Sequence, residues 1–324
     1  MNTTLALLVL TCLSWPAAGS NQGAAASQSS AASGPVDRLQ LLGLLASGTD
    51  LKYVSREIKQ RGIGFAPDQG VWDTMRDPRS AEWLKNQIAT VRPMDKPTVP
   101  KREDAAKHLA QGMRLAHARQ FPEAEREYQA ALTLAPQSAV LHSAFGTLLT
   151  MQGNYTAAMR EYRESIRLDP TFPTAHDFLA SALQGSNQTE AAAAEYKEAL
   201  KLDPDDTNGK IGLGMSLVTL GKYAEALPKL REVMGQAKVL PLLHKYYATA
   251  LMRTGDIQNG IAEISAYLQF DPSDVGAHLL LAGGFAKAGN HNGATGQCDE
   301  ALKLSQNAPN VQESCRIIEG NGQP

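Results

Sequence analysis

Residues Ala105 to Pro136 carry a pattern that the chain then copies at a spacing of 34 residues. The first unit has Gly112, Phe121, Ala124, Tyr128, Ala131 and Pro136. One shift reaches Gly146, Tyr155, Ala158, Tyr162 and Pro170, and the next reaches Ala192, Tyr196, Ala199 and Pro204. Two further shifts arrive at Pro272. A repeat of this length whose apolar residues recur at helical spacing is one pair of short helices. A single pair cannot bury its apolar face, so the copies have to stack. Alanine and leucine dominate while aromatics make up only 6%, a mixture suited to closely packed helices.

Small residues fall where two helices of a pair would approach: Gly112 with Ala124, Gly146 with Ala158, Ala180 with Ala192, Gly214 with Ala226, Ala248 with Gly260, and Ala282 with Ala294. A ring at position 24 fills the gap towards the next pair. A closing proline stops the second helix because it has no N–H to continue it. Gly153, Gly221, Gly255 and Gly289 mark the turn between the two helices. Small residues at 8, 20 and 27, an aromatic at 24 and proline at 32 make the stretch 104–306 resemble six tetratricopeptide repeats. The repeats start at Ala105, Ala139, Pro173, Thr207, Pro241 and Val275. The resemblance implies an all-α fold, a right-handed α-solenoid of about six helix pairs. Repeats four to six depart from the pattern. Repeat four has Leu230 and Val233 at positions 24 and 27, Pro228 inside its second helix and no closing proline. Repeat six has Cys298 in place of the ring. Residues 307–324 read as a capping helix and tail, with Val311, Cys315 and Ile318 on its apolar side and Gln312, Glu313, Arg316 and Glu319 on its polar side.

Ahead of the array, Leu5 to Trp15 is an apolar run too short to span a bilayer, followed by Pro16-Ala17-Ala18-Gly19. Residues 1–19 are therefore expected to be a signal peptide, and the chain periplasmic or secreted. Membrane contact is expected only through this segment if it is retained. Residues 20–35 read as a flexible linker and 94–103 as a proline-rich one. Between them, 36–93 reads as a small helical module. It holds an apolar helix around Leu39 to Leu45, a second capped by Asp50, a third around Val71 and Trp72, and a last one capped by Ser80. With its Arg61-Gly62-Ile63-Gly64-Phe65 turn, the stretch from Leu42 to Val91 resembles a module that precedes such repeats in some exported bacterial proteins. That resemblance implies no activity.

No catalytic, cofactor-binding or metal-binding residue is expected. His108, His142, His176, His244 and His278 all occupy position 4, but residues repeated along stacked hairpins stand on the order of 10 Å apart and cannot converge on one ion. They are expected to be packing residues. The net charge of -2 gives no long-range attraction for nucleic acid. In the resembled family the first helices line a binding groove through positions 2, 5, 9, 12 and 13, which implies a protein or peptide partner here. Repeats one to three would contribute Leu109, Met113, Ser143, Thr147, Asp177 and Ser181. Repeat four would contribute Ile211 and Met215, repeat five Lys245, Thr249, Met252 and Arg253, and repeat six Lys287. Methionines suit an adaptable contact with an apolar segment. Relatives that grip a terminal carboxylate use Lys at position 5 and Asn at position 9 of their first repeat. Leu109 and Met113 stand there, so that mode is not expected. The lysines and arginine at the far end are expected to suit an acidic stretch.

Once residues 1–19 are removed, two cysteines are left. Cys298 on the last repeat and Cys315 on the cap helix are expected either to form a disulfide, worth about 3 kcal/mol through chain entropy, or to remain two buried thiols. The expected function is a non-catalytic interaction scaffold. Two alternatives are an accessory subunit docked to an envelope assembly by its N-terminal module, and an enzyme with a site between module and array.

Overall fold

A computed structural model describes residues 34–94 and 99–320. The expected signal peptide, most of the first linker and part of the second lie outside the described residues. Seventeen α-helices and no strands are found among the described residues. The chain divides into two compact units, residues 1–209 and 210–324.

The first unit begins with four helices: α1 (Arg38–Ser47), α2 (Leu51–Arg61), α3 (Gln69–Trp72) and α4 (Pro78–Ile88). Asp50 caps α2 by accepting from Lys52 N at 2.6 Å. The cap of α4 differs from expectation. Asp77 accepts from Arg79 N and Ser80 N, while Pro78 takes the first helical position. Ser80 lies one turn inside and donates its own hydroxyl to Asp77 at 2.7 Å. The Arg61–Phe65 turn ties the two ends of the module together. Gly62 takes a positive φ of 78°, Val36 N donates to Gly62 O at 2.9 Å, and Met94 N donates to Ile63 O at 2.7 Å. The Arg61 guanidinium closes the turn by donating to Gly34 O and to Glu57.

Three hairpins follow: α5 (Pro100–His117) with α6 (Phe121–Leu134), α7 (Ala139–Met151) with α8 (Tyr155–Leu168), and α9 (Pro173–Gly185) with α10 (Thr189–Leu202). The helix α5 starts inside the expected linker because Pro100 sits at a helix N-terminus, where its missing N–H costs nothing. Within the first two hairpins the glycine at position 8 is pressed against the ring at position 24. A Cβ on Gly112 would lie 2.6 Å from the Tyr128 ring, and one on Gly146 would lie 2.6 Å from the Tyr162 ring. The rings in turn reach the following repeat, with centroids 6.1 Å apart for Tyr128 and Phe145 and 6.0 Å for Tyr162 and Phe178. At the turn between helices, Gly153 has a φ of 78°, while Arg119 and Asn187 adopt φ of 59° and 60° at the same position in repeats one and three.

In the second unit α11 (Thr207–Thr219), which starts just before it, is paired with α12 (Tyr223–Val233). Then come α13 (Leu242–Arg253) with α14 (Ile257–Phe270), α15 (Val275–Lys287) with α16 (His291–Leu304), and the cap α17 (Pro309–Gly320). Pro228 lies inside α12, which ends early in a 3-10 turn at Met234–Gln236. Leu230 replaces the ring and meets Gly214, whose Cβ would lie 2.7 Å away. The cap buries Val311 and Cys315 against Ala282, Cys298 and Ala301.

Candidate functional site: the first-helix face of the repeats

The helix α1 decides what the first-helix face looks like in repeats one and two. Its sequence, RLQLLGLLAS, is apolar on every side, and such a helix has to be buried all round. It packs on α5 and α7 as well as on α2. Gly43 is the point of closest approach: a Cβ there would lie 2.6 Å from Val140 Cγ2 and 2.8 Å from Val140 Cβ. Thr147 Oγ1 donates to Ser47 O at 3.1 Å, across 100 residues of sequence. Charges fix the other end, with Arg102 on Asp37 at 2.8 Å and Arg38 on Glu103 at 2.9 Å. Further along, Arg56 of α2 reaches Asp203, beyond α10, at 2.9 Å.

Leu109, Met113, Ser143, Thr147 and Asp177 are consequently buried and do not form the open groove expected of them. The reason is that the module belongs to the same compact unit as the first three repeats and covers this face. Ser181 is half-buried. Ile211 and Met215 are buried in α11, where every residue from Ile211 to Val218 is enclosed. Met252 is also a correction. It turns into the hairpin core, where Gly260 and Gly284 leave room: Cβ atoms there would lie 2.4 Å and 2.8 Å from its side chain. Besides Ser181, four of the expected residues are at least partly open. Lys245 is half-buried and bound to Asp274 at 2.5 Å. Thr249 donates to Lys245 O at 2.8 Å. Arg253 is exposed with its guanidinium 5.9 Å from the Tyr223 ring, and Lys287 is exposed.

Of the two expected arrangements of Cys298 and Cys315, the structure shows the second. Cys298 and Cys315 are free, buried thiols in one apolar cluster, with the Cys315 thiol directed at Cys298 O at 3.8 Å. Burial, reinforced by the adjoining Cys315 thiol, pushes the Cys298 thiol far above its ordinary pKa.

The position-4 histidines do more than pack. Each Nδ1 meets a side chain 19 residues on: His108 with Glu127, His142 with Glu161, His176 with Glu195, His244 with Glu263, and His278 with Gln297, all between 2.6 and 2.8 Å. The other ring nitrogen of His142 faces Pro136 O at 3.0 Å. A carboxylate and a carbonyl only accept, so both bonds require an imidazolium. Burial works against that charge at His142, but the bonds to Glu161 and Pro136 outweigh it and its pKa is raised. Each staple pins the first helix of a hairpin to the second. The signal was legible as a recurring Glu at position 23.

Models of the tetratricopeptide repeat match residues 109–173 and 177–308, together more than half of the chain. The chain is a tetratricopeptide-repeat protein. Among solved structures, the fold is similar to that of YrrB, described as a tetratricopeptide-repeat protein with an unusual peptide-binding site. The two share 18% identity with a TM-score of 0.52, over 58% of this chain and 96% of that one. It is also similar to PilF of Pseudomonas aeruginosa, at 17% identity and a TM-score of 0.54, over 66% of this chain and 98% of that one. A chain in the Cut9–Hcn1 hetero-tetramer of the APC/C matches at 16% identity and a TM-score of 0.53, over 87% of this chain and 48% of its own. These likenesses are of fold. No curated protein matches the sequence significantly. As a tetratricopeptide-repeat protein the chain is an interaction scaffold, of a family that typically binds proteins or peptides and is generally not catalytic. Among the described residues no helix is long and apolar enough to cross a membrane.

Proposed function

We propose that this scaffold is non-catalytic and holds a peptide or protein segment on the first-helix face of its later repeats. The observation that carries this reading is the seat of α1. The same face in repeats one and two already holds an apolar helix through close backbone approach and a few hydrogen bonds, the way a groove receives an amphipathic helix. In repeats five and six the corresponding positions hold Lys245, Thr249, Arg253, Leu279 and Lys287, all half-buried or exposed. That set suits a segment with apolar residues and some acidic ones. Docking to an envelope assembly through a free N-terminal module is less well supported, because the module is engaged with repeats one to three.

Photo-crosslinkers placed at Arg253 and Lys287 in the native host should capture a protein partner. A crosslinker at Gln258, exposed on the second helix of repeat five, should not. Capture from Gln258 alone would remove the assignment. We further propose that the protein is exported to the periplasm or outside the cell through residues 1–19, a reading supported by the apolar run Leu5 to Trp15 and the small residues after it. Recovery of the chain from the cytoplasmic fraction alone would contradict export.

A further inference from the structure

A small cavity lies where the module meets repeat three, within the first unit. It is lined by Gly48, Thr49, Asp50 and Tyr53 from the module side, and by Asp177, Asp203 and Asp206 from the repeat side. Its volume is about 20 Å³, room for a group the size of one water molecule. Three of the four carboxylates have assigned partners. Asp50 caps α2. Asp203 holds Arg56 at 2.9 Å. Asp206 accepts from Asn208 N at 3.0 Å and Gly209 N at 3.1 Å, at the start of α11. Asp177 is different. It is only 7% exposed, and its Oδ1 has no hydrogen-bond partner in the protein. The Thr49 hydroxyl, 4% exposed on the facing wall, has none either.

Burying a carboxylate oxygen without a donor costs several kcal/mol, and burying it among other carboxylates costs more. Four acidic side chains meet one guanidinium, so the cavity favours taking up positive charge, either as protons on the carboxylates or as a bound cation. Burial, with the Asp206 charge, raises the Asp177 pKa well above the carboxylate range. Burial, with the charges of Asp203 and Asp50, pushes Asp206 up to about 7. A neutral water would supply a hydrogen bond but leave Asp177 and Asp206 holding protons, whereas a bound cation would let them ionise. A bare metal ion needs several ligand atoms at short range, and no group of three or more acidic, His or Cys side chains among the described residues is arranged to hold one. A primary ammonium carries one positive charge and three donors in a volume close to that of water, and it bonds at ordinary hydrogen-bond distances. A planar guanidinium is too large for the space.

We propose that this cavity binds a primary ammonium group, which donates to Asp177 Oδ1 and Thr49 Oγ1 and is balanced by the surrounding carboxylates. The shared chemistry is that of a lysyl side chain on a bound peptide or of a free diamine.

Calorimetric titration of the full chain at fixed ionic strength with cadaverine, and separately with Nα-acetyl-lysine methylamide, tests this. Saturable binding of at least one is expected. The tighter of the two shows whether the cavity serves a diamine or a lysyl side chain. Asp177→Asn should weaken binding by about ten-fold or more, since a hydrogen bond to a charged group is lost with the charge. Thr49→Val should weaken it less. Nα-acetyl-arginine methylamide should not compete. Asp177→Asn replaces a buried ionisable carboxyl by an amide that never charges, so without amine it should melt at or above the temperature of the unaltered chain, which establishes that it folds. If it does not fold, Thr49→Val decides alone. The proposal is overturned by no saturable binding of either amine, by unchanged affinity in the folded variant tested, or by equal competition from the arginine compound.

Discussion

Gly43→Ala probes the seat of α1 with a single methyl group. The new Cβ would lie 2.6 Å from Val140 Cγ2, 2.8 Å from Val140 Cβ and 3.3 Å from the Val140 carbonyl carbon. Two of these atoms cannot be moved by rotating a side chain, and valine in a helix has essentially one rotamer. The helix must therefore shift, at an overpacking cost of about 1–3 kcal/mol. Against this, alanine is the better helix former by about 1 kcal/mol. The net expectation is a loss of about 1 kcal/mol. Gly283 and Gly296, within α15 and α16, supply the control, since a Cβ on either meets nothing within 4 Å. Gly283→Ala and Gly296→Ala should each stabilise by up to about 1 kcal/mol through propensity alone. Urea unfolding of the three variants at one temperature gives the comparison. A Gly43→Ala protein stabilised as much as the two controls would show that α1 does not lie against Val140.

Other outcomes follow from particular contacts. Arg119→Gly should stabilise by about 0.5–1 kcal/mol in urea unfolding, because Arg119 holds a left-handed φ of 59° that costs a non-glycine residue about that much. The staple at His142 should act with pH. Its pKa is raised in the folded chain, so its contribution is fully present below the unfolded value near 6.5 and is lost as pH rises through the folded value. The stability difference between the unaltered chain and Glu161→Gln should therefore be larger at pH 6 than at pH 9, and an equal difference would mean that the pair is not ionic. Alkylation without reductant should modify both Cys298 and Cys315 after unfolding and almost neither before, since both are free and buried and Cys298 is held protonated. A mass showing neither modified in the unfolded chain would mean that the two are bonded.

The hairpins were legible because their determinants are local. The small residue at 8, the ring at 24 and the proline at 32 act within one unit or on its neighbour, and spacing alone exposes them. Helix starts at Ala139, Pro173, Thr207 and Val275 coincide with the repeat starts read from sequence. The fate of the groove was not legible. Leu109 and Met113 look the same in a sequence whether a partner or the chain's own helix covers them. What covers them is set by a tertiary contact 93 residues long in sequence, Ser47 to Val140. One hint was present: α1 is apolar on all sides, which requires a second surface to bury it beyond its own module. Met252 was misplaced because its position number was read without the glycines facing it. The staples were missed because position 4 was read without its partner at position 23. The acidic cavity was invisible because Thr49, Asp177 and Asp206 lie far apart in the chain and only Asp177 falls at a position expected to bind.

The central claim is that the module's first helix fills the first-helix face of repeats one and two in the intact protein. Hydrogen exchange on the full chain tests it directly. The amides of α1 from Leu41 to Leu45 should exchange only with the cooperative opening of the first unit, at rates matching those of α7. Rapid exchange in α1 while α7 stays protected would contradict the claim and leave that face open to partners.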